Sequence, residues 1–197
     1  MEEILSLKPE SIFKVVDDSI FIEKNDARHN DYMHCGNYYE IYYAISKYYQ
    51  PKSILEIGVR YGYSLYSMMA AADNLNYVRG YDIDEYDSGS IEEANKNISK
   101  VISDDIDFKI EFNDSQKISE LSQSYDLIHI DGDHSYGGKI HDLNLTKGKC
   151  KVLIIDDYNH IGEVKNATNK FIEENSELIS KHFSIGSMRG TYIVEYK

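Results

Sequence analysis

Two short acidic strings dominate the chemistry this sequence could do. Asp131-Gly132-Asp133-His134-Ser135-Tyr136 and Asp156-Asp157-Tyr158 each follow a run of apolar residues. If both runs are neighbouring parallel strands, the strings meet at one sheet edge. So many like charges in one place cost energy unless a cation offsets them. Carboxylate oxygens at such a site suit a hard ion such as Mg²⁺ or Mn²⁺, which keeps waters and leaves positions open for a substrate. Taken singly, Asp133 and Asp157 also read as exposed loop charges, and His134 as a helix cap.

A second cluster has a different chemistry. Glu56-Ile57-Gly58-Val59-Arg60-Tyr61-Gly62 puts two glycines at the end of another apolar run. Glycine there lets backbone approach a ligand closely and take dihedrals other residues avoid. Asp82 ends the next run, where a carboxylate can accept both hydroxyls of a ribose. Asn113-Asp114-Ser115 ends a third, where polar groups could hold an adenine edge, although Ser115 also suits a helix cap. The turn lacks the middle glycine of GxGxxG, which places a pyrophosphate on a helix N-terminus, so a nicotinamide dinucleotide is disfavoured.

These residues need a scaffold that brings strand ends together. Residues 53–57, 77–82, 107–112, 125–131 and 152–156 read as buried strands. Leu65, Met68, Met69 and Ala72 form a helical stripe, as do Ile91, Ala94, Ile98 and Val101. Ser90 and Glu93 read as a capping box opening the second of these helices. Strands alternating with helices imply right-handed crossovers and a mostly parallel sheet covered on both faces, a Rossmann-like α/β sandwich of three layers. A helix is expected around 164–172, and the C-terminus reads as a hairpin turning near Arg189-Gly190, which makes one edge strand antiparallel. Residues 37–49 read as an amphipathic helix and 11–23 as a small hairpin around Asp17-Asp18-Ser19. Residues 1–36 are expected to cap the domain formed by 37–197.

Together Glu56 to Gly62, Asp82, Asp114 and the terminal hairpin resemble the class I S-adenosylmethionine-dependent methyltransferases, from about residue 37 to the end. That resemblance implies a seven-stranded sheet with the last strand antiparallel. It also implies that Glu56, Gly58, Gly62, Asp82, Asp114 and Ser115 form the cofactor site, with the glycine backbone on the methionine part and Asp82 on the ribose. DGDHSY and the Asp156-Asp157 pair resemble a narrower group, the metal-dependent O-methyltransferases of the macrocin type with related cephalosporin-hydroxylase-like and catechol-type enzymes. That resemblance implies Mg²⁺ or Mn²⁺ held by Asp131, Asp156 and Asp157. It implies a hydroxyl on a sugar or small polyol-like acceptor, free or part of a glycan, with His134 as the general base beside Asp131. A histidine titrates near ~6.5 when unperturbed, which suits that role. Two other readings stay open at this point: a metal-independent methyltransferase, and a non-catalytic nucleoside-binding module.

Composition narrows the partners. A length of 197 residues fits one domain. A formal charge of -13 repels phosphate backbones and anionic lipid, so neither nucleic acid nor a membrane is expected as a partner. Two cysteines without a CxxC pair, and no signal-peptide pattern, lead to the expectation of a reducing, cytoplasmic setting. Self-association into a homo-oligomer is left open.

Overall fold

The computed structural model describes residues 1–20, 38–85, 88–186 and 189–197. Seven strands form one sheet: β1 (Ser53–Ile57), β2 (Tyr77–Asp82), β3 (Asp107–Phe112), β4 (Tyr125–Ile130), β5 (Cys150–Ile155), β6 (Ile179–Ile185) and β7 (Thr191–Tyr196). Among the described residues six helices accompany them: α1 (Glu2–Ser6), α2 (Tyr38–Tyr49), α3 (Tyr63–Ala71), α4 (Ser90–Ile98), α5 (Tyr136–Thr146) and α6 (Gly162–Glu174). The order across the sheet is β3-β2-β1-β4-β5-β7-β6. β1 to β5 are parallel, while β7 runs antiparallel to both β5 and β6. The expected Rossmann-like sandwich with its antiparallel hairpin is therefore the observed fold. Strand order reverses between β1 and β4, which opens a crevice beyond their carboxyl ends.

The central strands are mostly apolar because both faces of the sheet are covered, with Glu56 of β1 and His129 of β4 as buried exceptions. On one face Ile54, Val78, Leu127, Val152 and Ile154 pack with Ile41, Ile45, Leu65 and Met68 of α2 and α3 and with Ala94 and Ile98 of α4. On the other, Leu55, Ile57, Ile128, Ile130 and Leu153 pack with Leu143 of α5 and Val164 and Phe171 of α6. Ile4, Ile12 and Ile20 of the N-terminal section join the first of these clusters. Among the described residues no helix is long and apolar enough to cross a membrane.

Three local expectations need correction. Residues 12–14 and 18–20 form short 3₁₀ turns where a hairpin was expected, and residues 21–23 lie outside the described residues. The Ile12 amide bonds to buried Glu40 of α2 at 2.9 Å, so α2 takes the place of a cross-strand partner. Helix α4 is capped by Gly89 at φ 89°, and Ser90 is already inside it. The Ser90 hydroxyl donates to Asp84 at 2.7 Å, which removes it from a capping box. The helix also ends at Ile98, so Val101 packs from the following turn.

Candidate functional site

The turn after β1 is held by its neighbours on both sides. Gly58 has φ 87°, its N–H donates to the Tyr81 carbonyl at 2.8 Å, and a Cβ there would stand 2.2 Å from the carbonyl oxygen of Asp131. Asp131 in turn donates its amide to the Ile57 carbonyl at 2.7 Å. Only a residue without a side chain lets the β1 turn lie this close to the β4 loop. Gly62 caps α3 at φ 77°, and a Cβ there would come 2.7 Å from Ile98 Cδ1 of α4. Its constraint is therefore helix packing as well as backbone conformation.

Asp82 organises this turn through the backbone. Its Oδ2 accepts the Arg60 amide at 2.7 Å and its Oδ1 the Asp84 amide at 2.7 Å. Arg60 and Asp84 both have positive φ, 50° and 56°, so these bonds fix two unfavourable dihedrals. Each carboxylate oxygen retains a further lone pair for a ligand hydroxyl. Asp114 accepts the Gln116 amide at 3.0 Å and pairs with Lys117 at 2.9 Å, so its carboxylate caps the 3₁₀ turn Ser115–Lys117. The Lys117 ammonium holds its carboxyl below the usual range. Ser115 is buried, and its carbonyl lies 2.9 Å from His141 Nε2, which must carry the proton because a carbonyl only accepts.

Glu56 is fully buried. Its Oε1 accepts the Ser64 hydroxyl at 2.6 Å and lies 2.6 Å from Nδ1 of His129 on β4, and burial pushes its carboxyl up. His129, which carries no motif, makes Glu56 part of a buried pair. Tyr42 of α2 lies against the His129 ring with centroids 4.6 Å apart.

The acidic end brings together Asp131, His134 and Asp157. His134 Nε2 is 3.1 Å from Asp131 Oδ1 and 3.6 Å from Asp157 Oδ2. One donor atom from each of the three lies within 4.8 Å of the others, a spacing that one ion could bridge. Two carboxylates and an imidazole, with the buried Asp157 Oδ1 lacking a hydrogen-bond partner among the described residues, fit a divalent cation that also binds oxygen ligands. Asp157 has φ 58°, a strained value for a residue with a side chain. The hairpin turn supports that conformation: Tyr158 donates its amide to the Gly190 carbonyl at 2.9 Å, Asn159 donates to that of Arg189 at 2.8 Å, and Arg189 Nη1 lies 3.9 Å from Asp157 Oδ1. Burial, and then the charge of Asp131, raise the Asp157 pKa.

Asp156 stands apart from that trio. It is fully buried and accepts a hydrogen bond from the Tyr38 hydroxyl, which also accepts one from Tyr42 at 3.2 Å. Burial, and then the adjacent Asp157 charge, push its carboxyl up to about 8. Tyr38, Tyr42, His129 and Arg189 are the residues that sequence reasoning missed. Tyr38 and Tyr42 were legible only as helix positions, and the other two carry no spacing signal. Of the expected N-terminal cap, residues 21–36 lie outside the described residues.

A family model described as a methyltransferase domain matches residues 55–158. No curated protein sequence matches the chain. Among solved structures, an O-methyltransferase from Bacillus cereus in complex with SAH superposes with a TM-score of 0.64 at 14% identity, covering 95% of this chain and 100% of that one. The SAH-bound Podospora anserina methyltransferase PaMTH1 gives 0.65 at 15%, covering 96% and 88%. The O-methyltransferase TomG from Streptomyces achromogenes, solved with SAM, gives 0.65 at 11%, covering 100% of both chains.

Proposed function

Because this chain belongs to that methyltransferase-domain family, we propose that it transfers a methyl group from S-adenosylmethionine to a hydroxyl of a small acceptor, a sugar or similar polyol, at a site that takes Mg²⁺ or Mn²⁺. The observation that supports this most is the contact between Gly58 and the Asp131 carbonyl, where a Cβ would come within 2.2 Å. It sets the glycine turn, which would carry the methionine end of the cofactor, directly beside the acid cluster. A methyl on a sulfonium is already activated, so catalysis here is mainly in-line alignment of a competent nucleophile.

Asp82 would accept the ribose hydroxyls, with the Gly58 to Gly62 backbone on the methionine part and Asp114-Ser115 at the adenine edge. Asp131 and Asp157 would hold the ion, while Asp156 supports the pair from behind through Tyr38. A bound divalent ion would supply Lewis acidity toward an acceptor hydroxyl. His134, about a third exposed, faces the open side of the cluster and would take the acceptor's proton. Its approach to both carboxylates also favours a second reading, in which His134 is the third ion ligand. Arg189, more exposed than Asp157, lies at the rim over Tyr38.

Calorimetry with S-adenosylhomocysteine, NAD and Mn²⁺, followed by labelled methyl transfer to a panel of sugars, polyols and phenols, tests the proposal. We expect binding of S-adenosylhomocysteine and Mn²⁺, no binding of NAD, and transfer that stops on chelation. Tight NAD binding without S-adenosylhomocysteine binding would end the cofactor reading. Full transfer after exhaustive chelation would end the metal reading alone.

A further inference from the structure

Helix α5 buries a lysine where an apolar residue would normally face the core. Lys139 has no exposed surface, and its Nζ has no hydrogen-bond partner among the described residues. A buried ammonium is costly unless negative charge surrounds it. Here desolvation lowers the Lys139 pKa, and Asp131, Asp142, Asp157 and Asp133, in that order, oppose the lowering. Asp142, one turn further along α5, is also fully buried. Its Oδ1 accepts from the Gln116 amide group at 2.8 Å, and its Oδ2 has no hydrogen-bond partner among the described residues. The same carboxylate lies beneath the Asp131 loop, since a Cβ on Gly132 would stand 3.2 Å from Asp142 Oδ2. Lys139 thus lies one turn from Asp142 on the buried side of α5, beneath the Asp131 loop, and its Nζ has no hydrogen-bond partner among the described residues.

We propose that Lys139 is a built-in counter-cation of the acid cluster, a positioning residue that keeps Asp131 and Asp157 together without a metal and sets how tightly a divalent ion binds there. The inference rests on the metal reading proposed above. Two positive charges facing one group of carboxylates share its attraction, so the ion must bind against the lysine. Such a site takes its ion weakly and reversibly, and the acid cluster survives when the ion is gone. Neither Asp131 nor Asp157 needs a direct bond from Lys139 for this, because the coupling is between charges across a poorly screened interior.

The test is Mn²⁺ titration by calorimetry into wild type, Lys139→Met and Lys139→Gln, all saturated with S-adenosylhomocysteine. Lys139 is not among the residues proposed to hold the cofactor, so unchanged S-adenosylhomocysteine affinity reports an intact fold. Both variants are expected to bind Mn²⁺ roughly tenfold more tightly, the size of effect expected when one unit charge is removed from a partly screened neighbourhood. Without metal they should melt earlier than wild type, and saturating Mn²⁺ should close the gap. If wild type binds Mn²⁺ and the folded variants bind it no more tightly, Lys139 is only a packing residue and this inference fails while the metal reading stands. Binding by the variants but not by wild type would support the counter-cation role and overturn metal dependence of the native protein. Absence of binding in all three overturns both. Should Lys139→Met fail to fold, Lys139→Gln, which keeps a polar head in the same volume, decides the question.

Discussion

The β1 turn and the β4–β5 acid cluster touch across one peptide, yet they are built by opposite means. At the β1 turn the backbone does the work: Gly58 is required by a steric gap, and Asp82 is engaged by two main-chain amides. The cluster beside it depends on side chains in uncomfortable states, with a strained Asp157, a carboxyl at Asp156 that burial pushes up to about 8, and Lys139 buried with no hydrogen-bond partner among the described residues. A site shaped by backbone is rigid before any ligand arrives. One made of buried charge changes with pH and with ions, so the two halves should respond differently to the same perturbations.

Removing the steric gap should have the largest effect. Gly58→Ala meets backbone atoms at 2.2, 2.4 and 2.7 Å that cannot move aside, and it does so at φ 87°. Gly89 has nearly the same dihedral, φ 89°, and none of the described residues comes within 4 Å of a Cβ there. Gly89→Ala therefore measures the dihedral strain alone, about 1 kcal/mol. Gly58→Ala should cost several times that, roughly 4 kcal/mol or loss of folding, and should abolish S-adenosylhomocysteine binding. Equal denaturant midpoints for the two variants would show that the turn can yield.

His134→Ala should come next. As general base its loss slows methyl transfer roughly 10²–10⁴-fold and leaves Mn²⁺ and cofactor affinity close to wild type. As a third ligand its loss weakens Mn²⁺ instead, and excess metal restores part of the rate. Measuring the Mn²⁺ dissociation constant beside the rate separates the two roles.

A smaller pair of effects should divide the halves cleanly. Asp82→Ala is expected to weaken S-adenosylhomocysteine roughly 10–100-fold, the scale of charge-assisted hydrogen bonds, without moving Mn²⁺ affinity. Asp157→Ala should weaken Mn²⁺ by a similar factor and spare the cofactor. If either variant moves both constants equally, the shared Gly58–Asp131 contact couples the halves more strongly than their separate construction implies.

The same contrast explains what the sequence made legible. Glycines in a strand-to-helix turn and carboxylates at strand ends have short-range spacing, so Gly58, Gly62, Asp82, Asp131 and the Asp156-Asp157 pair could be placed by reading along the chain. The sheet was legible because its central strands are buried on both faces and read as apolar runs. Helix α5 has no apolar stripe, since it turns Lys139, Asp142 and Thr146 inward beside Leu143. His129, Tyr38 and Arg189 act on Glu56, Asp156 and Asp157 from elements far away in sequence, and no local pattern announces such pairs. The separation of Asp156 from Asp157 was illegible for a related reason. Adjacent residues leave a strand in opposite directions, and only the position of Tyr38 decides which one is enclosed.

The smallest expected effect is a test of that enclosure. Native Asp156 keeps its proton until pH is near about 8, whereas an unfolded aspartate loses it near ~4. Between those values the native state binds more protons than the unfolded one, so this carboxyl makes stability fall as pH rises through the window. Below the window both states are protonated, and above it both are ionised. Asp156→Asn removes the titration and keeps an oxygen to accept from Tyr38. In chelator, then, the variant should match wild type near pH 5 and exceed it near pH 8 by on the order of 1–2 kcal/mol, seen as a higher melting temperature. Asp82→Asn offers a comparison at the β1 turn, where it should lose a little stability to the two amides that carboxylate accepts. An Asp156→Asn melting curve that keeps the wild-type slope from pH 5 to 8 would place the high-pH loss elsewhere, with Asp157 and Glu56 the next carboxyls to replace.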